Sequence, residues 1–208
     1  MIRVLLADDH TLVREGLKQL LSAAPGVTVA GEAGDGDAAL ALVRANEYDV
    51  AVLDMSMPGL AGIDLIKRVK LERPKLRVLV LSMHGEQQYA ARALKAGASG
   101  YLTKDSAAAQ LVSVIRKIAA GGVHISETAA AMLIGGPASG DAAPHTRLSD
   151  REFEIFRALV AGESVGDIAG RLRLSVKTVS THKTRILQKM DMASAAELVR
   201  YAVENKLL

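Results

Sequence analysis

Along the first 120 residues, short runs rich in Val, Leu and Ile alternate with longer segments whose apolar positions recur at helical spacing. That rhythm predicts a parallel sheet with covering helices. The strand candidates are "IRVLLA" (Ile2 to Ala7), "VTVAGEA" from Val27, "DVAVLD" (Asp49 to Asp54), "LRVLVLS" (Leu76 to Ser82) and "SGYLT" (Ser99 to Thr103). Helical stretches such as "HTLVREGLKQLLSAA", "GDAALALVRANE" and "EQQYAARALKAGA" lie between them, and a last helix runs from about Ser106 to Ala120, for five strands and five helices. Gly26, Gly97 and Gly121 stand where helices should end.

From about Gly121 to Thr146 the period gives way to small residues, Gly and Pro, as in "GGPASGDAAPHT", which reads as a linker. Within it, "SETAAAMLIGG" predicts a short Ala-rich helix. From Leu148 the pattern is helical throughout. Ser149 with Glu152, Ser164 with Asp167 and Ser194 with Glu197 form three capping signatures, and Ser175 marks a fourth start without the acid. Four short helices of about ten to fifteen residues are expected there. The expected domains are therefore 1–120, a linker over 121–145, and a small all-α domain over 146–208.

Composition narrows the chemistry. The chain's 208 residues suffice for two domains with cores of their own, and 50% hydrophobic with 24% charged residues is a globular balance. Cysteine is absent, which excludes disulfides, thiolate nucleophiles and cysteine metal sites, and suits a reducing compartment such as the cytoplasm. No apolar run approaches the ~18 residues of a membrane span. Asp8 and Asp9 cut the first run short, so it reads as a strand and not as a signal peptide. A net charge of +3 names no partner; its distribution does more.

Ligands of an open parallel sheet sit beyond the carboxyl ends of its strands. Asp8 and Asp9 follow the first strand, Asp54 ends the third, Ser82 ends the fourth and Lys104 follows the fifth. With strand order 2-1-3-4-5 these side chains converge on one mouth. Three carboxylates gathered in a desolvated pocket repel unless a cation joins them, and oxygen ligation favours Mg²⁺ over Zn²⁺ where Cys is absent and the five His show no paired spacing. A metal, an ammonium and a hydroxyl around one carboxylate make a cradle for a phosphoryl group. Taken singly, each residue has a plainer reading: a helix cap or turn for Asp9, a solvated charge for Lys104, a turn residue for Ser82, a core ring for Tyr101.

Taken together and in order, "ADDH", "VLDMSMPGLAG", "VLVLSMH" and "GASGYLTKD" resemble the receiver domain of bacterial two-component response regulators, over about residues 1 to 120. The resemblance implies a flavodoxin-like (βα)5 fold. It makes Asp54 the phosphoacceptor of a partner sensor histidine kinase, and Asp8, Asp9, Asp54 and the Ser56 backbone carbonyl the Mg²⁺ ligands. By the same resemblance Lys104 and Ser82 contact the phosphoryl group, Tyr101 moves with Ser82 as a switch, and Ser56 and His84 tune dephosphorylation. Asp105 departs from the Pro that many receivers carry after the Lys.

From Arg171 to Lys189 six basic residues (Arg171, Arg173, Lys177, Lys183, Arg185, Lys189) occur with no acidic one, the footprint of a polyanion site. Val176, Val179, Ile186 and Met190 keep helical phase and should bury with Leu187 beside them, while Lys183 snorkels at the edge. "SVGDIAGRLRL" followed by the tight turn "RLS" is helix-turn-helix grammar. The block from Leu148 to Met190 resembles the LuxR-type helix-turn-helix of the NarL/FixJ class of response regulators. That implies a recognition helix from Ser175 to Met190 in the major groove of double-stranded DNA. Lys177, Thr178, His182, Lys183 and Arg185 would meet phosphates, and Ser180, Thr181 and Thr184 would face base edges. Ser180 stands where many relatives carry Lys. Only 3% of residues are aromatic, which leaves few platforms for unpaired RNA bases. The last helix, with Leu198, Val199, Ala202 and Val203 in phase, closes the domain or forms a homodimer contact.

The combined expectation is a phosphorylation-controlled transcription regulator that takes up a phosphoryl group without turning over substrate. Two competitors are a constitutive DNA-binding regulator whose receiver only dimerises, and an aspartate-nucleophile phosphatase. The second lacks the Asp-x-Asp such enzymes show, since Met55 and Ser56 follow Asp54.

Overall fold

The computed structural model describes residues 1–82, 87–126, 130, 143–205 and 207. Two compact units, Met1–Ile134 and Gly135–Leu208, make up the chain. In the first, β1 (Ile2–Ala7), β2 (Val27–Ala33), β3 (Val50–Asp54), β4 (Arg77–Ser82) and β5 (Gly100–Thr103) alternate with α1 (Thr11–Ser22), α2 (Gly36–Ala45), α3 (Gly62–Glu72), α4 (Gln87–Lys95) and α5 (Lys104–Ala119). The strands form one parallel sheet in the order β2-β1-β3-β4-β5.

Burial on both faces explains the unbroken apolar runs. Val4, Leu6, Val50, Val52, Leu79 and Leu81 form one core with Leu17 and Leu21 of α1 and Leu111, Val114, Ile115 and Ile118 of α5. The alternate positions Leu5, Ala51, Leu53 and Val80 point to the other face, and they too are buried. Register carries the strand ends to one edge: Ala7 pairs with Leu53, Asp54 with Leu81, and Ser82 with Thr103. The loop that follows Asp54 is seated by a close backbone approach. A Cβ on Gly36 would lie 1.5 Å from the Leu60 carbonyl oxygen, so only glycine fits at the start of α2.

The last helix of this unit is expected from about Ser106. It begins instead at Lys104, because the Thr103 hydroxyl oxygen accepts the Ser106 N–H at 3.3 Å and caps the helix. The expected helix over "SETAAAMLIGG" falls mainly on residues 127–129 and 131–136, outside the described residues.

The second unit holds a 3-10 turn (Pro144–Arg147) and four helices, α6 (Asp150–Val160), α7 (Val165–Arg171), α8 (Val176–Met190) and α9 (Ala195–Glu204). Phe153 and Phe156, with ring centroids 6.0 Å apart, sit buried among Ile168, Val179, Ile186 and Leu198. Two capping boxes are reciprocal, Ser149–Glu152 and Ser164–Asp167. The third is not: the Ser194 hydroxyl accepts the Glu197 N–H, but Glu197 Oε2 takes the N–H of Ala193 at 2.9 Å. α7 is shorter than expected, at 7 residues, because the chain turns through Arg173 at φ 52°.

Glu152 ties this unit together. Its side chain is 5% exposed, and Oε2 accepts the Ser149 N–H and hydroxyl, each at 2.8 Å, and meets Lys189 Nζ of α8 at 2.6 Å. Burial is the largest single influence and opposes ionisation, yet Lys189 and the Ser149 donors together hold the carboxyl below its usual range. A lowered carboxyl pKa stabilises the fold above about pH 4.5, the unfolded value, and that contribution is lost as pH falls through the folded value. Glu152→Ala should therefore cost the helical unit about 2 to 3 kcal/mol at neutral pH and flatten its acid denaturation. Urea melts at neutral and acidic pH check this, and an unchanged midpoint at neutral pH refutes it.

Candidate functional site

At the carboxyl edge of the sheet two buried carboxylates share one ammonium. Lys104 Nζ stands 2.7 Å from Asp8 Oδ2 and 3.0 Å from Asp54 Oδ2. Both aspartate side chains are 0% exposed, and that of Lys104 is 8% exposed. Local backbone fixes each group. Asp8 N–H donates to the Ala33 carbonyl at 3.2 Å, and its own carbonyl accepts Arg14 Nη1 at 2.6 Å. Asp8 Oδ1 accepts the His10 N–H at 2.8 Å, and Asp54 Oδ1 accepts the Ser56 N–H at 3.3 Å. As the first residue of a capped α5, Lys104 is aimed by the helix start, not by a free loop.

One cation between two buried anions leaves the mouth short of positive charge. Burial pushes the Asp54 carboxyl up to about 6; Lys104 pulls it down, the Asp8 charge raises it again, and the Ser56 N–H lowers it slightly. Burial likewise opposes the charge on Lys104, but the two carboxylates win and its pKa is raised. One ligand atom from each of Asp8, Asp9, His10 and Asp54 lies within 4.8 Å of the others. Asp8 Oδ2 and Asp54 Oδ2 thus share the one Lys104 ammonium, at 2.7 and 3.0 Å. A donor set dominated by carboxylate oxygens, with charge left over, suits a hard divalent cation.

The residues expected from sequence fall as follows. Asp8, Asp54 and Lys104 meet directly, and Asp9 is at the rim with 30% of its side chain exposed. Ser56 is exposed beside Asp54. Ser82 is buried at the end of β4, in register with Thr103, and Tyr101 is buried on β5 opposite Val80. His84 lies outside the described residues. The reading of residue types missed His10, whose Nδ1 approaches Asp9 Oδ1 at 3.0 Å and Asp8 Oδ1 at 3.4 Å. Its position directly after the two aspartates was the available signal.

A cleft of about 580 Å³ opens at the opposite end of the sheet, lined in part by Arg3, Tyr48, Arg73 and Arg77. Helix ends account for much of that charge: Arg73 donates Nε to the Val43 carbonyl at 3.1 Å and Nη2 to that of Arg44 at 2.9 Å.

In the second unit, Val179, Ile186 and Met190 of α8 are buried while Lys177, Ser180, Thr181, Thr184 and Arg185 are exposed on the outer face. Thr178, His182 and Lys183 are half-buried along its edge. Ser175 caps α8, its hydroxyl accepting the Thr178 N–H at 3.0 Å. Thr181 and Thr184 donate their hydroxyls to the carbonyls of Lys177 and Ser180 at 2.9 and 3.1 Å. Val176, expected in the core, is 57% exposed: as the first residue of the helix it overhangs the packed turn that Val179 fills. Lys189 is turned to Glu152. Among the described residues, no helix is long and apolar enough to cross a membrane.

Residues 4–116 match the response regulator receiver domain family, and residues 146–202 match the bacterial regulatory proteins of the luxR family. The response regulator UvrY of Escherichia coli (strain K12) is 34% identical over 209 residues, covering 100% of this chain and 96% of UvrY. A solved structure of the RcsB response regulator of Salmonella typhimurium is similar at a TM-score of 0.76 and 29% identity, covering 98% of this chain and 97% of RcsB. RcsB from Salmonella enterica serovar Typhimurium, bound to promoter rprA in the presence of the phosphomimetic BeF3-, has a TM-score of 0.70 at 28% identity, with 97% and 98% covered.

The raised Asp54 carboxyl sets a pH dependence. In metal-free buffer the folded chain holds the Asp54 proton more tightly than the unfolded chain does. Stability therefore falls as pH rises from the unfolded value of 3.8 through about 6, and the full cost applies above that. Asp54→Asn removes the cost, so it should stabilise the N-terminal unit by about 2 to 3 kcal/mol at neutral pH and by little near pH 4. Denaturant melts in chelator at the two pH values test this; coincident midpoints at neutral pH would contradict it.

Proposed function

Because this chain belongs to the two-component response regulators of the NarL/FixJ class, phosphorylation-controlled transcription regulators with a receiver and a LuxR-type helix-turn-helix domain, we propose that Asp54 is its phosphoacceptor and a sensor histidine kinase its donor. An Asp54 carboxylate oxygen attacks the phosphorus of the kinase phosphohistidine, the phosphorus–nitrogen bond breaks, and the leaving imidazole takes up a proton. The acyl phosphate stays on the chain, so the protein accepts a group without acting as a turnover enzyme. The observation that carries this reading is the Lys104 ammonium set between Asp8 and Asp54 in a buried mouth. Such a cation neutralises charge as it develops on a transferring phosphoryl group.

Asp8, Asp9, Asp54 and the Ser56 carbonyl would hold Mg²⁺, which supplies a hard divalent charge facing the phosphoryl oxygens. Lys104 and Ser82 contact those oxygens. The added charge of about −2 draws both inward, and Tyr101 follows on β5 as the switch. Ser56, exposed beside Asp54, and His84 tune dephosphorylation. The receiver occupies 1–120, a linker 121–145 and the DNA-binding domain 146–208.

The exposed face of α8 enters the major groove of double-stranded DNA, with Lys177, Thr178, His182, Lys183 and Arg185 toward phosphates and Ser180, Thr181 and Thr184 toward base edges. RcsB has been solved on promoter DNA, and two RcsB dimers on two parallel DNAs. The exposed Val199 and Val203 of α9 support a homodimer on DNA here too. Kinase and DNA meet in the cytoplasm, where the protein acts.

Two measurements test the reading. Acetyl phosphate with Mg²⁺ should label the full chain and leave Asp54→Asn unlabelled; label retained by that variant would displace Asp54 as acceptor. DNA selected from a random pool should bind more tightly with beryllofluoride, and Lys177→Ala should weaken binding across sequences while lowering the salt slope by about one unit. DNA affinity indifferent to beryllofluoride, with Mg²⁺ still bound, would make the protein a constitutive DNA binder instead.

A further inference from the structure

We propose that Thr181 and Thr184 make α8 select A·T pairs, by reading the 5-methyl of thymine and the 6-amino group of adenine in the major groove. The proposal rests on reading α8 as the helix that enters that groove, and adds what its outer face recognises there. Both threonines are exposed, one turn apart on the same side of the helix. Each has committed its hydroxyl hydrogen within the helix. Thr181 donates to the Lys177 carbonyl at 2.9 Å, and Thr184 donates to the Ser180 carbonyl at 3.1 Å.

What remains for a base edge follows from those two bonds. A hydroxyl whose hydrogen is committed offers only its lone pairs, and the bond that fixes it also fixes the direction of the threonine methyl. Guanine presents two acceptors to the major groove, N7 and O6, so it sets lone pairs against lone pairs. Cytosine supplies an amino donor but no methyl. An A·T pair supplies both, the adenine N6 amino group and the thymine methyl. Three residues of helix advance about 4.5 Å, close to the ~3.4 Å step between stacked bases, so the two methyls can meet neighbouring pairs.

The neighbouring groups on α8 cannot share this role. Thr178 is half-buried, with its hydroxyl 2.7 Å from that of Ser175 at the helix cap. Ser180 is exposed but carries no methyl. Lys177 and Arg185, exposed on the same outer face, supply positive charge that draws phosphates of any sequence. Preference between base pairs therefore falls to the two threonines.

Duplexes enriched from a random pool by the full chain, then resynthesised with deoxyuridine in place of thymidine, put this to the test, because uracil keeps the pairing and loses only the methyl. The enriched site should carry adjacent A·T pairs, and uracil there should weaken binding of the unaltered chain about fourfold per contacted methyl. Thr181→Ser and Thr184→Ser keep the hydroxyl and drop the methyl. Each should weaken binding to the thymine duplex by a similar factor and lose the response to uracil at one position, whereas Thr184→Val, which keeps a methyl, should retain it. The proposal is overturned by an unaltered chain that ignores uracil, by serine variants that respond to it in full, by a valine variant that does not respond, or by a pool that enriches only G·C pairs or no sequence at all. In each of those cases salt-sensitive binding to duplex DNA keeps the underlying reading; a chain that binds no duplex overturns both.

Discussion

Two carboxylates removed from water around a single ammonium is the arrangement on which the receiver half depends. Asp8 and Asp54 are fully buried, and Lys104 supplies the one positive charge set between them. Isolated buried carboxylates are costly, and one ammonium does not offset two. A fold can tolerate that deficit only where the frame cannot relax. Here the frame is a five-stranded parallel sheet whose inner strands are buried on both faces, and whose register brings the ends of β1, β3, β4 and β5 to a single edge. The imbalance leaves that edge with negative charge that a cation would offset.

The helical unit resolves the same difficulty in the opposite way. Glu152 is nearly as deeply buried, but an amide, a hydroxyl and an ammonium converge on one of its oxygens. Its charge is answered within the fold, and its carboxyl is held low where that of Asp54 is pushed high. A satisfied carboxylate stiffens a domain, and an underpaid one makes a site. Glu152 lies behind α8 and fixes the pose of a helix whose outer face is left to solvent and hydrogen-bonding side chains.

Much of this was legible in the chain. Parallel strands carry apolar runs because both faces are covered, so an aspartate ending such a run marks a strand end, and strand ends are where such sheets bind. The order β2-β1-β3-β4-β5, the convergence of Asp8, Asp54 and Lys104, and the capping by Ser149, Ser164 and Ser175 followed from that logic. What escaped were contacts without a local period. Lys189 meets Glu152 across 37 positions, and no spacing rule links a basic helix to the cap of another helix. Val176 kept the apolar phase yet lies in solvent, because phase says which side of a helix a residue takes and not whether the helix is packed at that turn. Glu197 had the spacing of a capping box but turned its carboxylate to Ala193.

His10 shows why the type of a residue can mislead where its position does not. Ligand spacing within a helix or strand requires two histidines at a fixed interval, and the five histidines show none. A mouth assembled from separate strand ends obeys no such interval, since its members are gathered by topology. Adjacency to Asp8 and Asp9 at the end of β1 was therefore the stronger clue, because any residue there shares the edge at which Asp54 and Lys104 arrive.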